Sequence, residues 1–421
     1  MTKFSLRQRL AIKVGDLAAW ASKTAGRGSG ESIRGELMMK IAPNLFESLL
    51  ADRQLAIVSG TNGKTTTTHL LTAALRTQVA NPNDVVTNSD GANLVRGIVS
   101  AISRHPEAEI AVLETDEQVV PYTLRAGHPK VLVMLNFSRD QLDRHHEVNA
   151  LGRSWRAALA ELGDEGPSVI ANVNDPLVVW AALAAPKQIW VDMGVGWMQD
   201  ATLCPACSAI LSIDGHEWQC PNCNLAKPTP HLVTEANAVR FSDGRTFELN
   251  LQVPGRFNCG NAACALAAAE EMGVAAETAL PAMRQVTSPA GRFAIATFSN
   301  ADGSTTKARL ILAKNPAGWA ESLLMLRSDP VIIAVDSAIA DGTDLSWLWD
   351  VEYEKLAGRK VIVTGKRRAD LAVRLAYADV EYQVVDNLAD ALAGPFNETI
   401  DVLAMYTPFL KLCRLGGVKM S

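Results

Sequence analysis

The chain has 421 residues, 48% apolar and 20% charged, with a net charge of −5 and a pI near 5.9. That length predicts two or three domains with ample core. The acidic balance argues against a nucleic-acid binder, and no apolar run reaches the ~18 residues of a spanning helix. Residues 1–30 carry scattered charge and no signal-peptide core, so the expected location is the cytoplasm.

Residues 1–50 are predicted to be helical. Phe4, Leu6, Leu10, Val14, Leu17 and Ala21 approximate an apolar stripe, with Lys3, Arg7, Arg9, Lys13 and Lys23 off it. The expectation is that this stripe docks on the protein body, the alternative being an anionic membrane surface. A glycine-rich breaker, 26–30, precedes a second helical stretch through Leu50.

From Leu55 strands and helices alternate. Predicted strands are 55–59, 84–87, 110–114, 130–135, 168–171 and 188–191, with a helix over 151–162 among the connections. This is the pattern of a mostly parallel sheet with helices on both faces. A polar insert near 200–228 interrupts it; a strand over 245–252 and a helix over 258–272 follow. A second series begins near 305, with strands at 308–312, 331–335, 360–363, 382–385 and 402–405 and helices over 369–377 and 387–392. It reads as a smaller Rossmann-like α/β domain with no dinucleotide glycine fingerprint. The domains expected are 1–50, 51–295 with the insert at 200–228, and 296–421.

The most informative stretch is Ser59-Gly60-Thr61-Asn62-Gly63-Lys64-Thr65-Thr66, between the first strand and a helical pattern. Strand, glycine loop and helix is the context of a phosphate-binding loop. Backbone N–H groups and the helix N-terminus face the phosphates, Lys64 reaches the β/γ-phosphates, and the Thr65 hydroxyl suits Mg²⁺. The loop predicts use of ATP. One departure is Val58, where the longer form of the motif has glycine. Acidic groups gather at predicted strand ends, and Glu114 is paired with Thr65 as a Mg²⁺ ligand.

Four of the seven cysteines fall as Cys204-Pro-Ala-Cys207 and Cys220-Pro-Asn-Cys223, twelve residues apart. Two such knuckles in a reducing compartment predict a structural Cys₄ zinc site with no open position for catalysis.

The G-T-N-G-K-T loop resembles that of the Mur ligase and folylpolyglutamate synthetase superfamily, which activates a carboxylate as an acyl phosphate. Over nearly the whole length the chain resembles the MurT family, the Mur-ligase-like subunits of lipid II isoglutaminyl synthases. The matching stretches are 60–67, 90–93, 114–117, 136–143, the two cysteine knuckles, 257–262, 291–292, 313–318 and 340–347.

The resemblance implies a Mur-ligase-type ATPase domain with a parallel sheet and a zinc-ribbon insert, followed by a C-terminal domain that meets a GatD-type class I glutaminase. It implies ATP-dependent amidation of the D-glutamate α-carboxyl of lipid II, using ammonia from that partner. The implied roles are Lys64 and Thr65 on phosphate and Mg²⁺, Glu114 on Mg²⁺, and Asn258 and Asn261 as the N-x-x-N pair, with Asn261 at the base. His145 matches a histidine near a second metal, a site left open because no match for a carbamylated lysine is found. Asp344 is implied to complete the partner's Cys–His triad, with Asp341 as its rival.

About fifty residues precede the loop strand. The expectation is that they do not form a UDP-binding domain and that the substrate is lipid-linked, met at the inner membrane face. Two other readings stay open: an amino-acid-adding ligase of the same superfamily with no glutaminase, and a zinc-ribbon NTPase that binds nucleic acid.

Overall fold

The structure, a computed structural model, describes residues 4–24, 30–88, 92–139, 148–194, 200–287, 292–300, 303–338, 341–394, 396 and 398–418. The chain divides into two compact units, one of Met1–Phe137 with Glu147–Thr287 and one of Ser138–His146 with Ser288–Ser421.

The first unit is built on strands β1 (Gln54–Ser59), β2 (Val85–Thr87), β3 (Ile110–Glu114), β4 (Val131–Met134), β5 (Ser168–Asn172) and β6 (Lys187–Asp192). A small hairpin, β7 (Ser212–Asp214) and β8 (Glu217–Gln219), lies in the insert, and β9 (Leu232–Glu235), β10 (Ala238–Phe241) and β11 (Thr246–Glu248) follow it. The nine-stranded sheet runs β11-β10-β9-β6-β5-β4-β1-β3-β2. It is parallel from β9 to β2, and β9, β10 and β11 meander antiparallel.

Alternate residues of these strands enter two separate cores. Leu55, Ile57, Leu113, Leu132 and Met134 face one, and Ala56, Val58, Val112, Val131 and Val133 face the other. A parallel sheet buried on both faces requires such continuous apolar runs. One face is covered by helices including Glu31–Ile41, Val95–Ile102 and Val148–Leu162, the other by Lys64–Leu75, Phe257–Glu271 and Ala276–Met283.

The meander corrects the expected strand over 245–252, which is only Thr246–Glu248, and adds two strands not expected. Its first turn is made by Ala236 at φ 51° beside Asn237. With no glycine there, the sequence carries no hairpin signature.

The N-terminal helix Leu6–Thr24 docks, but through the face opposite to the one expected. Gln8, Ala11, Gly15 and Ser22 are buried, while Leu6, Leu10, Leu17 and Trp20 are exposed. Periodicity marks two faces of a helix; it does not say which one meets the protein. Small residues let helix Glu31–Ile41 approach closely. Arg34 on that helix is 2% exposed and donates to Asp16 (2.7 Å), to Ser103 Oγ (2.8 Å) and to the Ser100 carbonyl. One guanidinium thus ties three helices together, with each of its three nitrogens hydrogen-bonded.

The second unit holds β12 (Phe293–Ser299), β13 (Thr305–Leu312), β14 (Val331–Ala334), β15 (Val361–Thr364), β16 (Tyr382–Val384) and β17 (Ile400–Ala404), ordered β12-β13-β17-β14-β15-β16. Only the β12–β13 pair is antiparallel. Asp401, fully buried, accepts from Arg309 (2.6 and 2.7 Å) and from the N–H groups of Arg327 and Ser328. Among the described residues no helix is long and apolar enough to cross a membrane.

Helix Glu31–Ile41 crosses Val95–Ile102 so closely that a Cβ on Gly35 would lie 1.8 Å from the Arg96 carbonyl oxygen. Backbone cannot yield as a side chain can. Gly35→Ala is expected to destabilise the first unit by about 2–3 kcal/mol, read as a shifted urea midpoint with unchanged slope.

Candidate functional site

Strand β1 ends at the loop that opens helix Lys64–Leu75. Gly60 (φ 138°) and Gly63 (φ 90°) hold conformations that side chains resist. A Cβ on Gly60 would lie 2.9 Å from the Asn136 nitrogen, and one on Gly63 would lie 2.5 Å from Asn261 Oδ1. Asn136, just beyond β4, laces the loop down. Its carbonyl accepts from Thr61 N (2.9 Å), its Oδ1 accepts from Asn62 N (2.9 Å), and its amide donates to the Asn62 carbonyl (3.0 Å). Sequence reasoning placed Asn136 in the stretch 136–143 at a strand end but gave it no contact; it lies two residues past β4.

Lys64 is 7% exposed. Its ammonium donates to the Gly60 carbonyl (2.5 Å), the Thr61 carbonyl (3.2 Å) and Glu117 Oε2 (3.1 Å). Glu117 is the partner that sequence reasoning missed; it lies three residues beyond Glu114. Glu114 ends β3, opposite Val58 of β1, and is 2% exposed. Asn88, past the end of β2, brackets its backbone, accepting from Glu114 N (2.9 Å) and donating to its carbonyl (2.7 Å). Thr65 and Thr66 are buried in the first helical turn.

These groups meet at the carboxyl ends of adjacent parallel strands, where such sheets bind ligands. The arrangement fits a triphosphate. First-turn N–H groups lack intrahelical acceptors, no Cβ obstructs the loop, and a cation stands inside it. Thr65 and Glu114 offer the hard oxygen donors that Mg²⁺ takes.

Asn258 and Asn261 lie in the first turns of helix Phe257–Glu271. Asn261 donates to Asn258 Oδ1 (2.9 Å), Asn258 donates to the Pro254 carbonyl (2.5 Å), and Asn261 rests on Gly63. Both are buried, so in this conformation Asn261 supports the loop from beneath. His145 lies outside the described residues, as do Asp90, Gly91, Asp140 to Asp143, Gly291 and Ala340.

The four cysteine sulfurs Cys204, Cys207, Cys220 and Cys223 lie within 4.8 Å of one another, with Cys204–Cys223 at 3.7 Å and Cys207–Cys220 at 3.5 Å. Zinc–sulfur bonds of ~2.3 Å in a tetrahedron put sulfurs roughly 3.8 Å apart, so the set fits Zn²⁺. The insert is bolted to the sheet. Trp218, 3% exposed, donates to the Val173 carbonyl (2.9 Å) beyond β5. Lys227 pairs with Asp192 at the end of β6 and with Glu217, each at 3.0 Å.

Two residues past Val173, Asp175 accepts from Phe137 N (2.7 Å), Leu177 N (2.9 Å) and Val178 N (3.1 Å). Burial pushes its carboxyl up to about 6, against the pull of those three donors.

In the second unit the two aspartates of the Asp341–Asp344 segment differ. Asp341 is 1% exposed and accepts from Thr407 N (2.8 Å). Asp344 is exposed, and its Oδ1 accepts from Ser346 N (2.8 Å), two residues on, just before the short turn Ser346–Asp350.

Metal analysis of the purified chain is expected to give one zinc per chain. Replacing Cys220 and Cys223 by serine should abolish it and lower the unfolding midpoint by roughly 5 °C or more, because metal binding free energy is folding free energy for the insert.

A Mur ligase middle domain model matches residues 58–269, and a MurT ligase C-terminal model matches residues 312–409. The chain is 30% identical to the MurT subunit of lipid II isoglutaminyl synthase (glutamine-hydrolyzing) of Staphylococcus aureus, over 90% of each chain. It is 27% identical to the subunit of the same name from Streptococcus pneumoniae, over 98% of this chain and 97% of that one. In fold it is similar to MurF from Acinetobacter baumannii, with a TM-score of 0.64 at 16% identity, covering 90% of this chain and 79% of that one. With a Mur-ligase fold, a glycine-loop lysine, a cysteine ribbon and a MurT C-terminal segment in one polypeptide, the chain belongs to the MurT family.

Proposed function

We propose that this chain is the acid-activating half of a two-subunit amidotransferase. It uses ATP to convert the D-glutamate α-carboxylate of the lipid II stem peptide to D-isoglutamine, with ammonia from a GatD-type class I glutaminase. The observation that carries the reading is the similarity to MurT subunits, which extends over 90% of the chain and includes the segment bearing Asp344.

The chemistry follows from the residues. Lys64 exchanges its two loop carbonyls and Glu117 for β/γ-phosphate oxygens, so a cation already desolvated meets the transferring phosphoryl group. Mg²⁺, held by the Thr65 hydroxyl and the Glu114 carboxylate, supplies further charge neutralisation when bound. The substrate carboxylate takes the γ-phosphoryl group, giving an acyl phosphate and ADP. Ammonia then attacks the carbonyl carbon, phosphate leaves, and the nitrogen sheds its proton. Ammonium has no lone pair to attack with, which favours delivery from an attached subunit.

For the glutaminase half, an exposed carboxylate is the property required of a residue that serves another protein's histidine. Asp344 has it and Asp341 does not. Accepting the imidazole N–H fixes the tautomer and stabilises the imidazolium.

The test is mass spectrometry of lipid II incubated with the chain, its glutaminase, ATP and glutamine. Amidation lowers the mass by about one unit, OH becoming NH₂. Lys64→Ala is expected to cut turnover about 100-fold or more with either glutamine or added ammonia. Asp344→Asn keeps an oxygen to accept from Ser346 N, and it should cut glutamine-dependent turnover by about 10³-fold while leaving ammonia-dependent turnover intact. An amino-acid adduct in place of the amide, or wild-type glutaminase activity in Asp344→Asn, overturns the corresponding assignment.

A further inference from the structure

Helix Leu6–Thr24 is amphipathic in reverse. At 3.6 residues per turn, Leu6, Leu10, Leu17 and Trp20 fall within an arc of about 80°. They are 85%, 57%, 64% and 64% exposed. The opposite arc, Gln8, Ala11, Gly15 and Ser22, is the face packed on the protein. Lone exposed leucines need no explanation, but four large apolar side chains in register over four turns of one helix form a surface.

The charge that the helix carries around that surface is mostly positive. Lys13 lies within the arc, and Arg7, Arg9 and Lys23 flank it, all exposed. The helix's single acidic residue, Asp16, is paired with buried Arg34 at 2.7 Å. We propose that this face is a docking surface for an anionic lipid bilayer, with the helix lying in the interface plane. Leucine and tryptophan enter the headgroup–acyl boundary, while the lysine and arginine side chains reach back to lipid phosphates. A second copy of the chain fits poorly, because a two-fold contact through this face would set its cations against themselves. The surface stands on its own geometry; its use in meeting a lipid-linked substrate rests on the function proposed above.

The test is flotation of the full chain with vesicles of phosphatidylcholine, with and without ~30% phosphatidylglycerol. Wild type is expected to float with the anionic vesicles, roughly tenfold more than with neutral ones, and to be released by salt. The double substitutions Leu17→Ser/Trp20→Ser and Leu6→Ser/Leu10→Ser should each remove most of that binding. Their thermal unfolding should match wild type, because the side chains are already in water. Turnover of a detergent-solubilised short-chain lipid II should also be unchanged in both. Failure of wild type to float overturns the proposal, as does equal flotation of both variants. So does loss of self-association or of glutaminase co-elution in the variants, which would assign the face to a protein. If wild type amidates nothing, the proposed function fails while flotation still decides this surface.

Discussion

The lacing of the glycine loop to the end of β4 is the constraint on which the nucleotide site depends. A loop with two glycines at positive φ is entropically costly to hold still. Three hydrogen bonds from one asparagine, each worth about 0.5–1.5 kcal/mol net, hold it in place before any ligand arrives. The same close approach explains why Gly60 and Gly63 cannot be other residues, since Asn136 occupies the space of one Cβ and Asn261 that of the other. Lys64 is then positioned within a fixed frame.

That frame extends outward through short polar links. Asn136 is followed by Phe137, whose N–H is held by Asp175; Asp175 lies two residues from Val173, which receives Trp218 of the cysteine ribbon. Lys227 makes a second link from the ribbon to the end of β6. The ribbon therefore belongs to the core of the first unit, with Cys204, Trp218 and Cys220 buried alongside Trp155 and Trp190. A metal held by these cysteines would act on the chemistry through stability, by fixing what the loops after β4 and β5 rest on.

Much of this was legible in the chain. The alternation of apolar runs with helical stretches marks a parallel sheet because both faces must be buried, and β1, β3 and β4 fall where Leu55, Ile110 and Lys130 open such runs. The phosphate loop and the cysteine knuckles were legible for a different reason: their chemistry needs fixed residue types at fixed local spacing. The contacts of Glu117, Asn136, Asn88 and Asp175 were not legible, because each of these residues acts on a partner far away in the chain, 26 to 74 residues off.

By itself the sequence determined most of the parallel strands, the cysteine set and the periodicity of the first helix. Only the tertiary structure decided how these face one another. It turned Leu6, Leu10, Leu17 and Trp20 outward, because close packing on helix Glu31–Ile41 favoured small side chains over large ones. It also separated Asp341 from Asp344, two aspartates alike in sequence, by burying one against Thr407 N and leaving the other in solvent. Helical periodicity and residue type are local properties. Which face or which carboxylate is desolvated depends on neighbours that only the fold brings near.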